Sequence, residues 1–212
     1  MTRRSARLTL LMAAWLAWAA PALAHPHVWI VARAAVIYAP DGRVAAIGHE
    51  WTFDKAYSAY AVQGLAPKEG APVPPEKLAE LARTNVESLA EFGYFTHAKA
   101  NGAKLGFGAP RDYEVTQADG ALTLRFLLPL DTPAKANRAF ALDLYDPSYF
   151  VDFQLAGEPD PVRLVNAPAG CALNLARPKP MDEAEKALSE GSWSGLANAG
   201  LRFSNRVIVA CP

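Results

Sequence analysis

Cysteine is almost missing from this chain, and that scarcity is informative. Cys171 and Cys211 are the only two, both in the last quarter, and they form no CxxC pair. The spacing of a thiolate metal clip or a thioredoxin-type redox motif is therefore lacking. A bias of charge is lacking as well: 21 basic residues face 21 acidic ones, with no basic stripe of the kind nucleic acid requires. The one long apolar run, Leu8 to Ala20, is ~13 residues, short of the ~20 that a spanning helix needs. There is no GxSxG elbow, phosphate loop, HExxH or dinucleotide glycine pattern, so no nucleophile or cofactor signature points to an enzyme.

What is present begins at the N-terminus. Arg3, Arg4 and Arg7 precede the apolar run, and Pro21-Ala22-Leu23-Ala24 ends in the small-x-small pattern cut by signal peptidase. Residues 1–24 read as an export signal, the mature protein as beginning at His25, and the location as periplasmic. The Arg3-Arg4 pair lacks the rest of the folded-protein export motif, so ordinary unfolded secretion is expected. Losing three arginines leaves 18 basic against 21 acidic residues over 188 positions, enough for a single domain, 25–212, with its own core. In an oxidising compartment Cys171 and Cys211 most simply pair; free thiols or two soft metal ligands are the alternatives.

Strand patterns flank turn signals through most of the mature chain. Val28 to Tyr38 and Val44 to Phe53 sit either side of Pro40-Asp41-Gly42, which suits a type I turn followed by a positive-φ glycine. Asn101-Gly102 and Asp119-Gly120 mark two further hairpins. Ala139 to Tyr145, Tyr149 to Leu155, Val162 to Val165, Ala172 to Leu175 and Val207 to Ala210 read as strands. Helical periodicity covers Ala56 to Gln63 and Glu76 to Phe92, a helical insertion at about 55–92, and returns at Pro180 to Glu190. The fold class is α+β: mostly antiparallel, sandwich-like sheets with a helical insertion and a C-terminal helix.

Cleavage after Ala24 would expose His25-Pro26-His27. An N-terminal histidine offers its α-amine and ring Nδ1 to one metal ion, and His27 adds a second imidazole. The square-planar site with histidine third needs an ionisable amide at position two, which Pro26 lacks. In an unbroken hairpin register, with Ala39 facing Arg43, His49 faces Arg33 and Lys55 faces His27. Asp54 then lies beside His27, the better carboxylate candidate than Glu50. His49 reads as a core or sheet-face histidine, and His97 as an exposed or hydrogen-bonded one. Asp146 reads as a turn residue, and Tyr57, Tyr60, Tyr145, Tyr149 and Phe150 as mostly core.

Six ordered segments, HPHVWI, WTFDKAYSAYAVQGL, NVESLAEFGYFT, YDPSYFV, APAGC and NRVIVACP, resemble an uncharacterised bacterial periplasmic family. That family is domain of unknown function 1007, often labelled an ABC-type transport periplasmic component. The resemblance spans nearly the whole mature chain. It implies association with inner-membrane permeases of the nickel/cobalt type, and no proven activity. Some relatives carry an acidic calcium-loop-like stretch between the helices. Here Gly64 to Gly70 holds one acid, so no calcium is expected.

Two functions follow as expectations. One is a periplasmic accessory protein that holds a transition metal (zinc, nickel, cobalt or copper) on His25, His27 and Asp54 for a partner permease. The other is a non-metal interaction module that docks its N-terminal strand and aromatic clusters onto a membrane transporter. For a third, an enzyme built on a copper-bound N-terminal histidine, the sequence names no second catalytic group.

Overall fold

A computed structural model describes residues 27–68, 71–179 and 198–212. The expected helix at Pro180 to Glu190 and the histidine at position 25 lie outside the described residues.

The chain opens with β1 (Val28–Tyr38) and β2 (Val44–Phe53), antiparallel across a turn in which Gly42 has φ +77°. Period-two alternation explains why they are strands: Ile30, Ala32, Val36, Trp51 and Phe53 are buried while their neighbours face outward. Two helices follow, α1 (Lys55–Ala61) and α2 (Pro75–Leu89), with Pro75 preset for the first turn of α2. A 3-10 helix, Ala90–Phe95, then leads into β3 (Thr96–Ala100) and β4 (Ala103–Lys104). The remaining strands are β5 (Arg111–Ala118), β6 (Ala121–Ala134), β7 (Phe140–Leu144), β8 (Val151–Leu155), β9 (Val162–Val165), β10 (Ala172–Ala176) and β11 (Asn205–Ala210). At both Asn101-Gly102 and Asp119-Gly120 the two turn residues have positive φ, as a two-residue hairpin demands.

Among the described residues the strands form two sheets. The first runs β5-β6-β2-β1-β8, with β9 continuing beside β8 along the same edge of β1; the second runs β10-β11-β7-β3-β4. The α+β assignment stands, with one addition. Both β8 and β9 lie parallel to β1, which makes the first sheet mixed. Trp51, Ile47, Leu124 and Leu128 from the first sheet share the core with Phe140, Leu142, Leu144 and Val207 from the second. Each is at most 1% exposed and contributes roughly 1.5–3 kcal/mol by leaving water. α2 packs on β5 and buries Ala82 and Val86.

The outer face of the first sheet carries a row of alternating charge, Arg33, Glu50, Arg125 and Glu114, on four neighbouring strands. Arg125 Nε donates to Glu50 Oε2 at 2.9 Å. Such cross-strand pairs add a few tenths of a kcal/mol each and keep that face wet. Cys171 and Cys211 form a disulfide one step beyond the Ala172–Ala210 pair, so the two strands bring the sulfurs together.

The hairpin register needs a correction. Tyr38 pairs with Val44 but Ile37 pairs with Ala46, leaving Ala45 as one extra residue on β2. This bulge moves every later partner by one position, so His49 faces Ala34 rather than Arg33. The helical insertion also ends differently. Its second α-helix stops at Leu89, and Gly93, Tyr94 and Phe95 all take positive φ before β3.

Candidate functional site

Because of the shifted register, Asp54 meets Trp29 instead of lying beside His27. Its backbone N–H donates to Trp29 O at 2.9 Å, and its carboxylate takes the Trp29 N–H on Oδ2 at 3.0 Å. The other oxygen, Oδ1, accepts Tyr57 N–H at 2.9 Å and caps α1. An aspartate after a strand and before a helix is a favoured cap, and here it also clamps the start of β1. Asp146 is likewise a turn residue: Oδ1 accepts Ser148 N and Oγ, and Oδ2 accepts Val151 N. Neither aspartate holds a carboxylate oxygen clear of backbone donors.

His27 occupies the other side of this clamp. It is exposed, its N–H donates to Phe150 O at 2.9 Å, and its ring lies 4.7 Å from the Phe150 ring. Along β1 it shares the outward face with Trp29 and Val31. The parallel register sets Trp29 beside Asp152, so Asp152 stands one strand over and two residues along from His27, on the same face. Burial raises the Asp152 carboxyl above the ordinary carboxylate range, against a 2.9 Å hydrogen bond from Gln154 Nε2. Sequence reasoning missed this residue. The available signal was an acid inside the apolar strand VDFQL.

The other two histidines belong to the fold. His49 is buried, stacked 4.7 Å from Phe126 and edge-on to Trp51, with Nε2 3.3 Å from the Thr96 hydroxyl. Burial pushes its pKa down to about 3. His97 is half-buried and stacked 4.2 Å from Tyr145. Burial also lowers its pKa, opposed by a hydrogen bond to the Tyr145 backbone and by the Asp143 charge.

Beneath the β1 clamp lies a cavity of about 460 Å³ between the inner face of β1 and β2, α2 and the 146–151 loop. Trp51, Phe53, Tyr57 and Phe95 are among its walls, and Phe92 and Phe150, both roughly half exposed, also line it. Phe150, expected in the core, is thus a lining side chain with a half-exposed ring, and Tyr60, also expected in the core, is exposed. Two wall segments carry bulky residues in the left-handed region, Tyr94 at +55°, Phe95 at +47° and Tyr149 at +58°. Side chains of that size are rarely held there, and such conformations concentrate at functional sites. The Tyr149 hydroxyl is pushed up to about 12 by burial and the nearby Asp152 charge.

The model of the family described as "Protein of unknown function (DUF1007)" matches residues 10–211. The chain belongs to this family. A curated relative, an "Uncharacterized 15.5 kDa protein in trpE 3'region" of Spirochaeta aurantia, is 31% identical over 77 residues. That match covers 36% of this chain and 55% of the relative. The chain therefore spans about half the length of the curated relative it matches. Among the described residues of this DUF1007 member, no helix is long and apolar enough to cross a membrane. No group of three or more metal-type side chains occurs among them either.

Proposed function

We propose that this chain is a periplasmic accessory protein that holds a transition-metal ion at its processed N-terminus and passes it to, or takes it from, an inner-membrane permease. The observation that carries the reading is the fate of the four histidines. His49 and His97 are built into the fold, whereas His27 is exposed at the very start of the described domain, two residues after His25. Neutral imidazoles at an accessible chain end suit zinc, nickel, cobalt or copper.

Asp54 leaves the ligand set in this reading, because its oxygens serve as a cap and a strand clamp. The His25 α-amine and ring with the His27 ring are the core of the site. With Asp54 committed, Asp152, which pairs with Trp29 from the other side, is the remaining carboxylate beside the start of β1. An amine with a reference pKa near 8 loses its proton readily under a cation. The Cys171–Cys211 disulfide suits the oxidising compartment that the export signal implies. The permease partner rests on the family resemblance. The chain acts here as a binding protein rather than an enzyme.

A second reading has one observation in its favour. Trp29 and Val31 are 47% and 49% exposed on the outward face of β1, an apolar patch suited to a protein partner. The two separate in one experiment: titration of the processed protein with nickel and zinc, beside His25→Ala and His27→Ala. The metal reading expects one equivalent and a loss of about tenfold or more in each variant. Unchanged affinity in both would remove it.

A further inference from the structure

We propose that a groove on the outer face of the first sheet binds a small planar molecule carrying a carboxylate. This inference is independent of the metal reading, since it uses neither His25 nor His27.

The sheet register builds the groove. Across β9, β1 and β2, Arg163 pairs with Ala35 and Ala35 with Gly48, so two of the smallest residues lie side by side on the outward face. Two residues along, the same face carries Arg33, Glu50 and Arg125. The segment at Pro159 and Asp160 forms a further wall, held by Arg33 Nη1, which donates to Pro159 O at 2.7 Å and to Asp160 O at 3.1 Å. The enclosed space is about 410 Å³, within the range that takes small organic ligands.

Gly48 has no structural reason to be glycine. In a strand interior that residue is weakening, and it marks a bulge, a bend or a close approach. The bulge of β2 lies at Ala45, and the φ of Gly48 is not in the left-handed region. A Cβ at this position would make ordinary contacts with Ala35 Cβ at 3.4 Å and Ile37 Cδ1 at 3.6 Å. What a side chain there would remove is the floor of the groove.

Charge says what fits. Three guanidiniums, of Arg33, Arg125 and Arg163, line the groove against two carboxylates, of Glu50 and Asp160. Glu50 is committed: Arg125 Nε donates to Oε2 at 2.9 Å, and Arg33 Nε stands 4.0 Å from Oε1. Arg163 has no ion pair or side-chain hydrogen bond among the described residues. The Nη2 groups of Arg33 and Arg125 have no acceptor among them either. The groove thus offers one net positive charge and unused N–H donors on planar guanidiniums, the geometry that suits a carboxylate. Ala35, Gly48 and Pro159 add a surface without polar side chains, against which a flat apolar body can lie.

The test uses the mature chain with benzoate and its neutral isostere benzamide, at fixed ionic strength. Binding is followed by the Gly48 and Arg163 backbone amide resonances in heteronuclear NMR. Benzoate should bind saturably, with a dissociation constant on the order of 1 mM for so small a ligand. Benzamide should bind about tenfold more weakly. Arg163→Gln, at an exposed position on the edge of the sheet, should weaken benzoate about tenfold and leave benzamide unchanged. Gly48→Val, which suits a strand and fills the floor, should abolish saturable binding of both. If that variant does not fold, Arg163→Gln keeps the test decisive. Equal affinity for the two probes, or unchanged benzoate binding in Arg163→Gln, would overturn the role of the arginines. Unchanged binding to Gly48→Val, or no saturable binding, would overturn the site.

Discussion

Lowering the pH from about 7.5 to about 5 should destabilise the native chain by about 2 kcal/mol through His49 alone. The ring lies buried between Phe126 and Trp51, and burial holds its pKa down to about 3. In the unfolded chain the same group titrates near 6.5. Between these values the unfolded state binds a proton that the native state refuses, so stability falls as the pH drops below 6.5. At pH 5 the unfolded form is roughly thirty parts protonated to one, which amounts to about 2 kcal/mol. His49→Phe removes the titration and keeps a ring between the same neighbours. The Thr96 hydroxyl still donates to Tyr94 O at 2.7 Å, so the substitution strands no buried hydroxyl. Urea unfolding of both proteins, disulfide intact, at both pH values isolates the effect, because His97 and the carboxylates cancel. The gap in unfolding free energy should change by about 2 kcal/mol in favour of the variant at the lower pH. A gap unchanged between the two pH values would refute the assignment of His49 as a buried neutral ring.

Three other perturbations have defined outcomes. Cys171 and Cys211 are 40 residues apart, so the Cys171→Ser, Cys211→Ser double variant should lose about 4 kcal/mol, read from the urea midpoint. Asp54→Ala strips acceptors from Trp29 and Tyr57 together and should cost about 1–3 kcal/mol, with faster amide exchange at both residues. The fully buried Ser58 hydroxyl donates to Asp54 O and accepts from Leu122 N, tying α1 to β6. Ser58→Ala should therefore cost about 1–3 kcal/mol by thermal unfolding, more than an exposed serine in the same helix.

Local chemistry was legible in the sequence, and non-local pairing was not. Asn101-Gly102, Asp119-Gly120 and Gly42 marked their hairpins because positive φ is a property of the turn residues themselves. The Cys171–Cys211 pairing followed from there being only two cysteines. One alanine misled the register. Ala45 carries no turn signal, yet its bulge displaced Asp54 by a residue and turned an expected ligand into a cap. The parallel strands β8 and β9 reach β1 from more than a hundred residues away, and no short-range pattern encodes that meeting. The cavity and Asp152 depend on the same long-range pairing, so both stayed hidden. Phe150 looked like core because large aromatic side chains mostly are, although the loop leaves its ring half exposed.

In the proposed function the amine and ring of His25, with His27, form a metal site that exists only after cleavage behind Ala24. Calorimetric titration with nickel and zinc of two forms, one starting at His25 and one retaining Ala24 in front of it, separates the chelate from an ordinary histidine side chain. The form starting at His25 should bind one equivalent, and the extended form should bind at least about tenfold more weakly. Equal affinity in the two forms would rule out the His25 amine as a ligand.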